Sequence, residues 1–135
     1  LTTRGEAHIT VITPPEAQGW FTDKKGINFL ISSMELQKKY FHTLQNTKFT
    51  PLCVGRVIDG KKIVYFLVVD SPELKQVRKD IQLELERRAA FTDKKVFFNA
   101  SKWYPHITIG YVGADIHTKP KDVESCKAVG KLSFF

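Results

Sequence analysis

Two short polar motifs hold the residues of this sequence that are best suited to chemistry. The tripeptide His-Ile-Thr occurs twice, with His8 and Thr10 in the first copy and His106 and Thr108 in the second. Both copies are surrounded by apolar, β-favouring residues. Side chains alternate across a strand, so the histidine and threonine of one copy share a face, about 7 Å apart along the strand. If the two strands are neighbours in a sheet, two imidazoles and two hydroxyls line one groove.

This set of side chains suits the cleavage of a phosphodiester. In-line attack on phosphorus needs a base on the entering oxygen and an acid on the leaving oxygen, and histidine, with an ordinary pKa of about 6.5, can be either. Hydroxyl donors and a protonated imidazole would stabilise the charge that develops on the equatorial oxygens. One H-x-T in a strand is usually structural, so the hypothesis depends on the second copy. Two histidines could instead bind a metal, but no third ligand stands at motif spacing, and we expect no metal.

Apolar spacing and turn residues predict the elements that must position both motifs. Alternating β-branched residues predict strands, apolar residues at helical spacing predict helices, and Asp59-Gly60 is a strong hairpin signal. Ser32 or Ser33 is expected to cap the first helix, and Ser71 the second. The predicted order is a strand at 8–12, a helix at 31–44, hairpin strands at 52–58 and 63–69, a helix at 72–90, and strands at 106–112 and 127–135. Because this order lacks regular βαβ alternation, we predict an α+β fold with an antiparallel or mixed sheet and helices outside.

Composition limits the class of protein. With 135 residues, a net charge of +7 and a pI near 9.5, the chain suits one domain that meets phosphate-bearing partners such as nucleotides or RNA. No apolar run approaches the roughly 20 residues that span a bilayer, so no membrane partner is expected. Cys53 and Cys126 form no CxxC, so we expect two reduced, buried residues in an intracellular protein of the cytoplasm or nucleus. Because the first residue is Leu1 rather than Met, we expect a fragment of a longer protein.

The two motifs also carry a resemblance to a known family. Two H-x-T motifs about a hundred residues apart in a small α+β chain, with Pro105 just before the second histidine, resemble the 2H phosphoesterase superfamily. The resemblance spans residues 8–112 and implies one domain over residues 1–135. It implies a bilobal fold in which two sheets line a central groove, with helices outside. It also implies a missing N-terminal strand and helix, no cofactor, and a catalytic tetrad made of His8, Thr10, His106 and Thr108.

Aromatic and basic residues near the motifs are candidates for contacts with a substrate. Two aromatic residues just before the second motif could stack on a nucleobase, with core packing as the alternative. Two more, in a predicted loop after the first motif, could cover the groove as a lid. Two lysines after the second motif could meet phosphates, with ordinary surface exposure as the alternative. The aromatic residues before the second motif are Trp103 and Tyr104, those in the predicted loop are Trp20 and Phe21, and the lysines are Lys119 and Lys121.

Two functions of different classes fit these residues. The first is a metal-independent phosphodiesterase that acts on an RNA end or a nucleotide and opens a 2′,3′-cyclic phosphate. One histidine would deprotonate water, and the other would protonate the departing ribose oxygen. A linear 2′,5′- or 3′,5′-phosphodiester is the alternative substrate. The second function is a binding module that holds a nucleotide or RNA end without turnover, although paired histidines favour catalysis. Under either function we expect a monomer.

Overall fold

A computed structural model of the chain describes residues 1–3, 5–18, 20, 30–92 and 95–129. The chain divides into two compact units. Unit 1 consists of Leu1–Thr10, Phe49–Ser71 and the segment from Tyr104 onward, and unit 2 consists of Val11–Lys48 and Pro72–Trp103. Helices and antiparallel strands are both present, which confirms the predicted α+β class.

Unit 1 is built on a three-stranded antiparallel sheet in the order β1-β2-β3. The strands are β1 at Thr50–Asp59, β2 at Lys62–Asp70 and β3 at His106–Val112. The first two form the predicted hairpin, and Gly60 in its turn has a φ of 60°, which glycine adopts without strain. β3 is the strand predicted around the second motif. Within the described ranges all strands belong to this one sheet, so the second sheet of the implied groove stays a prediction.

The predicted strand at residues 8–12 is wrong. None of these residues has strand structure, and the N-terminal segment meets β3 through one antiparallel bridge, between Thr2 and Tyr111. The two N···O distances of this bridge are both 2.9 Å. Gly5 then adopts a φ of 76° within a bend, which turns the chain out of this pairing. β-favouring residues form a ladder only where a partner strand runs beside them, so the propensity of this segment is overridden.

The last predicted strand, at residues 127–135, is also not observed where the chain is described. Lys127 belongs to a 3-10 helix, η1, that spans Val123–Ala128, and residues 130–135 lie outside the described part of the chain. The Asp122 side chain caps this helix by accepting a hydrogen bond from the backbone N–H of Ser125 at 3.3 Å. Local capping therefore decides the conformation at the start of this segment.

Cys53 and Cys126 form a disulfide, which corrects the expectation that both cysteines are reduced. They are 73 residues apart in sequence, and their Cα atoms are 6.1 Å apart. Cys53 lies on β1 and Cys126 lies in η1, where both pack against the buried side chains of the sheet. The pairing of such distant cysteines depends on tertiary structure, and no local spacing signals it. The bond attaches η1 to the buried face of the sheet.

We expect loss of this disulfide to lower the free energy of unfolding by about 4 kcal/mol. In the chain-entropy view, the cross-link closes a long loop in the unfolded chain and so removes conformational freedom there. Urea unfolding with and without dithiothreitol would measure the difference. The matched control is the Cys53→Ala/Cys126→Ala variant, in which dithiothreitol should have no effect. Equal midpoints for the oxidised and reduced wild type would contradict the prediction.

The described part of unit 2 contains two helices, both close to their predicted ranges. Helix α1 spans Ser33–Asn46 and helix α2 spans Pro72–Ala89. Ser32 caps α1 as predicted, because its hydroxyl accepts a hydrogen bond from the backbone N–H of Glu35 at 3.0 Å. Among the described residues, none of the helices combines the length and the apolar character of a membrane span. The buried core of unit 2 comprises Trp20, Leu30, Ile31, Tyr40, Val77, Ile81, Leu85, Phe98 and Ala100.

A buried arginine on α2 connects the segments of unit 2. Arg78 is 0% exposed, and its guanidinium pairs with both carboxylate oxygens of Glu16, at 3.1 and 2.7 Å. The guanidinium carbon also lies 4.7 Å from the ring centroid of Phe98 and 5.4 Å from that of Trp103. All three nitrogens donate hydrogen bonds, so the desolvated charge is well satisfied. The backbone oxygens that accept from it belong to Val11, Asn99, Ala100 and Lys102.

Candidate functional site

Both histidine motifs lie in unit 1. The second motif stands on β3, and the first motif follows the bend at Gly5. The bridge between Thr2 and Tyr111 is antiparallel, so the N-terminal segment leaves it in the direction of the start of β3, where His106 lies. The fold therefore brings into one unit two motifs that are far apart in sequence.

The sheet register places the second motif on the buried face of the sheet. Directly opposite residues of antiparallel strands share a face, and His106 is opposite Val68 while Thr108 is opposite Phe66. Val68 and Phe66 are 3% and 0% exposed. Ile109 lies at a register shift in the β2–β3 pairing and is 43% exposed.

The ring of His106 is oriented by a hydrogen bond to the backbone. Its Nδ1 lies 2.7 Å from the carbonyl oxygen of Tyr104. A carbonyl oxygen can only accept, so Nδ1 carries the hydrogen, and in the neutral ring Nε2 holds the lone pair. The backbone N–H of Val69 donates to the Pro105 carbonyl at 3.1 Å, which ties the residue before His106 to β2. This local order makes Nε2 the atom of His106 that can take up or give a proton.

An aromatic side chain packs against the same imidazole. The ring of Phe66 meets the His106 ring in a T-shaped arrangement, with centroids 5.7 Å apart and planes at 68°. The prediction from sequence missed Phe66. One signal that could have drawn attention to it is Gly55, a glycine inside a strand pattern, because such glycines mark the close approach of another group.

His8 of the first motif lies close to a carboxylate. Its Nδ1 is 3.6 Å from Oε1 of Glu6, and the two side chains are 38% and 75% exposed. This separation is longer than a hydrogen bond, so the pair attracts through charge when the imidazole is protonated. The His8 side chain is therefore solvent-accessible and lies beside a carboxylate.

The two aromatic residues before the second motif are placed differently from each other. The Tyr104 side chain is 41% exposed, and its carbonyl oxygen orients His106. Trp103 belongs to unit 2, where its ring lies against the guanidinium of Arg78. The packing alternative therefore suits Trp103, whereas base stacking by Tyr104 stays a prediction.

Of the two residues proposed for a lid, Trp20 lies in the described part of the chain. Trp20 is 2% exposed and meets Phe98 in an edge-to-face contact, with centroids 5.0 Å apart. This burial in the core of unit 2 argues against a lid role for Trp20. Phe21 lies outside the described residues.

The two candidate lysines after the second motif differ in exposure. Lys121 is 5% exposed, and its ammonium group lies 3.4 Å from Asp115 and donates to the Ile116 carbonyl. Burial works to raise the pKa of Asp115, but the charge of Lys121 and the backbone hydrogen bond of Ile116 outweigh it and lower that pKa. Lys119 is exposed and donates to the Ile58 carbonyl. Lys121 therefore supports the fold of unit 1, and a phosphate contact by Lys119 stays a prediction.

The described residues contain no group of three or more His, Cys, Asp or Glu side chains that could hold a metal ion. The metal-free mechanism stays a prediction, and the experiment below tests it directly.

The comparison with known families agrees with the two motifs. A family model described as "Swiss Army Knife, 2H phosphoesterase domain" matches residues 1–117, a range that contains both motifs. No curated protein and no solved structure matches the chain. The matched family generally hydrolyses phosphodiester bonds.

Proposed function

The chain belongs to the 2H phosphoesterase superfamily, and we propose that it hydrolyses a phosphodiester at an RNA end, most readily a 2′,3′-cyclic phosphate. The observation that carries the proposal is the orientation of His106, whose Nδ1 is committed to a backbone carbonyl. Two-sided proton transfer requires a second group, and in this proposal it is the histidine of the first motif, which lies in the same unit. The catalytic residues of this proposal are His8, Thr10, His106 and Thr108.

In the proposed reaction each histidine handles one proton. His106 Nε2 takes a proton from water, and the water oxygen forms a bond to phosphorus. The bond from phosphorus to one ribose oxygen breaks, and that oxygen takes a proton from His8. The products are a phosphomonoester and a ribose hydroxyl. The hydroxyls of Thr10 and Thr108 donate hydrogen bonds to the non-bridging oxygens, where negative charge accumulates in the transition state.

Two features support an RNA end as the substrate. The net charge of +7 favours encounter with a polyanion. The sequence also places aromatic residues next to the second motif, and the exposed Tyr104 side chain is available for stacking on a base. A cyclic phosphate joins both ribose oxygens to one phosphorus, so one base and one acid on opposite sides of that atom are sufficient for hydrolysis.

Incubation with a short RNA that ends in a 2′,3′-cyclic phosphate, in the presence of EDTA, tests the proposal. We expect the RNA to gain the mass of one water, because the two histidines need no metal for proton transfer. The product isomer, a 2′- or a 3′-phosphate, identifies the leaving oxygen. The matched substrate control is the same RNA with linear 2′,5′ or 3′,5′ linkages. Binding of the cyclic phosphate without any turnover would contradict the proposal and support the binding module instead.

A further inference from the structure

We propose that Phe66 is a positioning residue for His106, and that Gly55 provides the space in which the Phe66 ring is held. The inference deepens the proposed function, because it rests on His106 as a group that moves a proton. Neither residue touches the reacting atoms in this scheme. Their effect passes through the orientation of the imidazole.

The space above Gly55 is filled by the Phe66 ring. These residues are directly opposite in the β1–β2 pairing and so share a face of the sheet. A Cβ atom built on Gly55 would lie 2.4 Å from Cε2 and 2.8 Å from Cζ of Phe66. Contacts between carbon atoms are favourable at about 3.5–4.0 Å, so no larger residue fits without moving the ring. Gly55 is not among the glycines with positive φ, and therefore space, not backbone conformation, requires glycine here.

The same ring reaches the imidazole on the far strand. Phe66 lies on the central strand, is 0% exposed, and has Gly55 as its partner on β1. Its T-shaped contact with His106, at 5.7 Å between centroids, is within the usual range for aromatic pairs. The ring is thus confined by the β1 backbone and contacts the β3 histidine. Displacement of the ring would remove this contact.

Two restraints together define the direction of Nε2. The Tyr104 carbonyl holds Nδ1, and a hydrogen bond by itself still permits the imidazole to tilt. The contact with Phe66 opposes that tilt from the side of the ring. Proton transfer depends steeply on such geometry, and a misplacement of about 1 Å can cost up to roughly 100-fold in rate. Thr108 is opposite Phe66 in the sheet, so the KM of a Phe66 variant reports whether phosphate binding by the Thr108 hydroxyl is kept.

The first test compares kinetic constants of Phe66→Leu with those of the wild type on the cyclic phosphate. We expect kcat to fall about tenfold and KM to stay within about twofold, because orientation is lost and binding is kept. Val64→Ala is the matched control. Val64 is also 0% exposed and points to the same face, but it is opposite Tyr111. This control should lower the melting temperature and leave kcat in place. If Phe66→Leu does not fold, Phe66→Met takes its place, because the flexible methionine side chain adapts to an irregular space.

A double-variant cycle distinguishes the space that Gly55 leaves for the Phe66 ring from the positioning of His106 by that ring. Gly55→Ala should lower both the melting temperature and kcat, because its methyl group displaces the Phe66 ring. Adding Phe66→Leu should restore much of the melting temperature, because leucine leaves room for the methyl group. The kcat of the double variant should stay at the level of Phe66→Leu. Recovery of kcat together with stability would overturn the positioning role.

A spectroscopic readout keeps the inference separate from the proposed function. The ring current of Phe66 acts on the carbon-bound ring protons of His106, which NMR resolves without any substrate. Phe66→Leu should shift these resonances and leave those of His42, on α1, in place. Shifted resonances in a protein without turnover would support the contact and reject the proposed function. Unchanged His106 resonances and an unchanged kcat would overturn the inference.

Discussion

Replacing either His8 or His106 with alanine is expected to lower kcat on a 2′,3′-cyclic phosphate by roughly 10²–10⁴-fold. Each substitution removes one of the two groups that transfer a proton at phosphorus. KM should change little, because the threonine hydroxyls and the electrostatic attraction for the RNA remain. The pH dependence of the wild-type rate should be bell-shaped, and each variant should lose one limb of the bell. Steady-state rates across the pH range, measured by product separation, provide the test.

The control for these substitutions is His42→Ala. His42 lies exposed on α1, an element that carries neither motif, so its removal deletes the same type of side chain outside the proposed tetrad. It should leave kcat unchanged. Circular dichroism must show that all three variants stay folded. If His8→Ala or His106→Ala keeps kcat within a few-fold of the wild type, the two-histidine mechanism is wrong.

Replacing Arg78 with methionine is expected to lower the free energy of unfolding by about 3–5 kcal/mol. The change leaves the Glu16 carboxylate without its partner and deprives several backbone oxygens of a donor. Methionine keeps much of the volume, so the loss reports hydrogen bonds and charge more than a cavity. Urea unfolding at neutral pH would measure it. A midpoint equal to that of the wild type would show that the buried guanidinium contributes no net stability.

The control variant is Arg87→Met on the same helix. Arg87 is exposed and pairs with Glu84 at the surface, so its loss should barely move the unfolding midpoint. Both variants replace an arginine of the same helix with methionine. They differ in whether the guanidinium that is removed is buried or exposed. A loss in Arg87→Met as large as that in Arg78→Met would contradict the importance of burial.

The Arg78–Glu16 pair also has a predicted pH dependence. Burial works to raise the pKa of Glu16, but hydrogen bonds from Arg78 and Thr13 and the charge of Arg78 outweigh it and hold that pKa below its ordinary value of 4.5. A depressed folded-state pKa contributes stability that is present above the unfolded value and is lost as pH falls through the folded value. Wild-type stability should therefore decline below pH 4.5 in part through this group. Glu16→Gln should remove that part of the decline.

The local elements could be read from the sequence because their signals lie within a few residues. Helix α2 begins at the predicted proline, and α1 is capped at one of the two serines proposed for it. The hairpin forms around the Asp-Gly signal, and β3 covers its predicted range. Short-range capping, turn chemistry and alternation are properties of adjacent residues, and these predictions therefore hold.

Long-range relationships could not be read in the same way. The predicted first strand failed because a strand needs a partner, and the bend at Gly5 removes it from the edge of β3. The cysteines were expected to be reduced, but the fold brings them together across 73 residues. Trp20 was expected to cover the groove as a lid, yet its neighbours in space bury it. In each case the deciding contact joins residues far apart in the chain.

Residue types and short patterns were enough to identify two His-x-Thr motifs, their family and the α+β class of the fold. The surroundings of the motifs come from long-range contacts. These contacts place the second motif on the buried face of the sheet, direct His106 through the Tyr104 carbonyl, and set Phe66 against it over Gly55. Residue types and local backbone preferences are encoded position by position. The face that a strand buries, by contrast, depends on its register with other strands and on what packs against them.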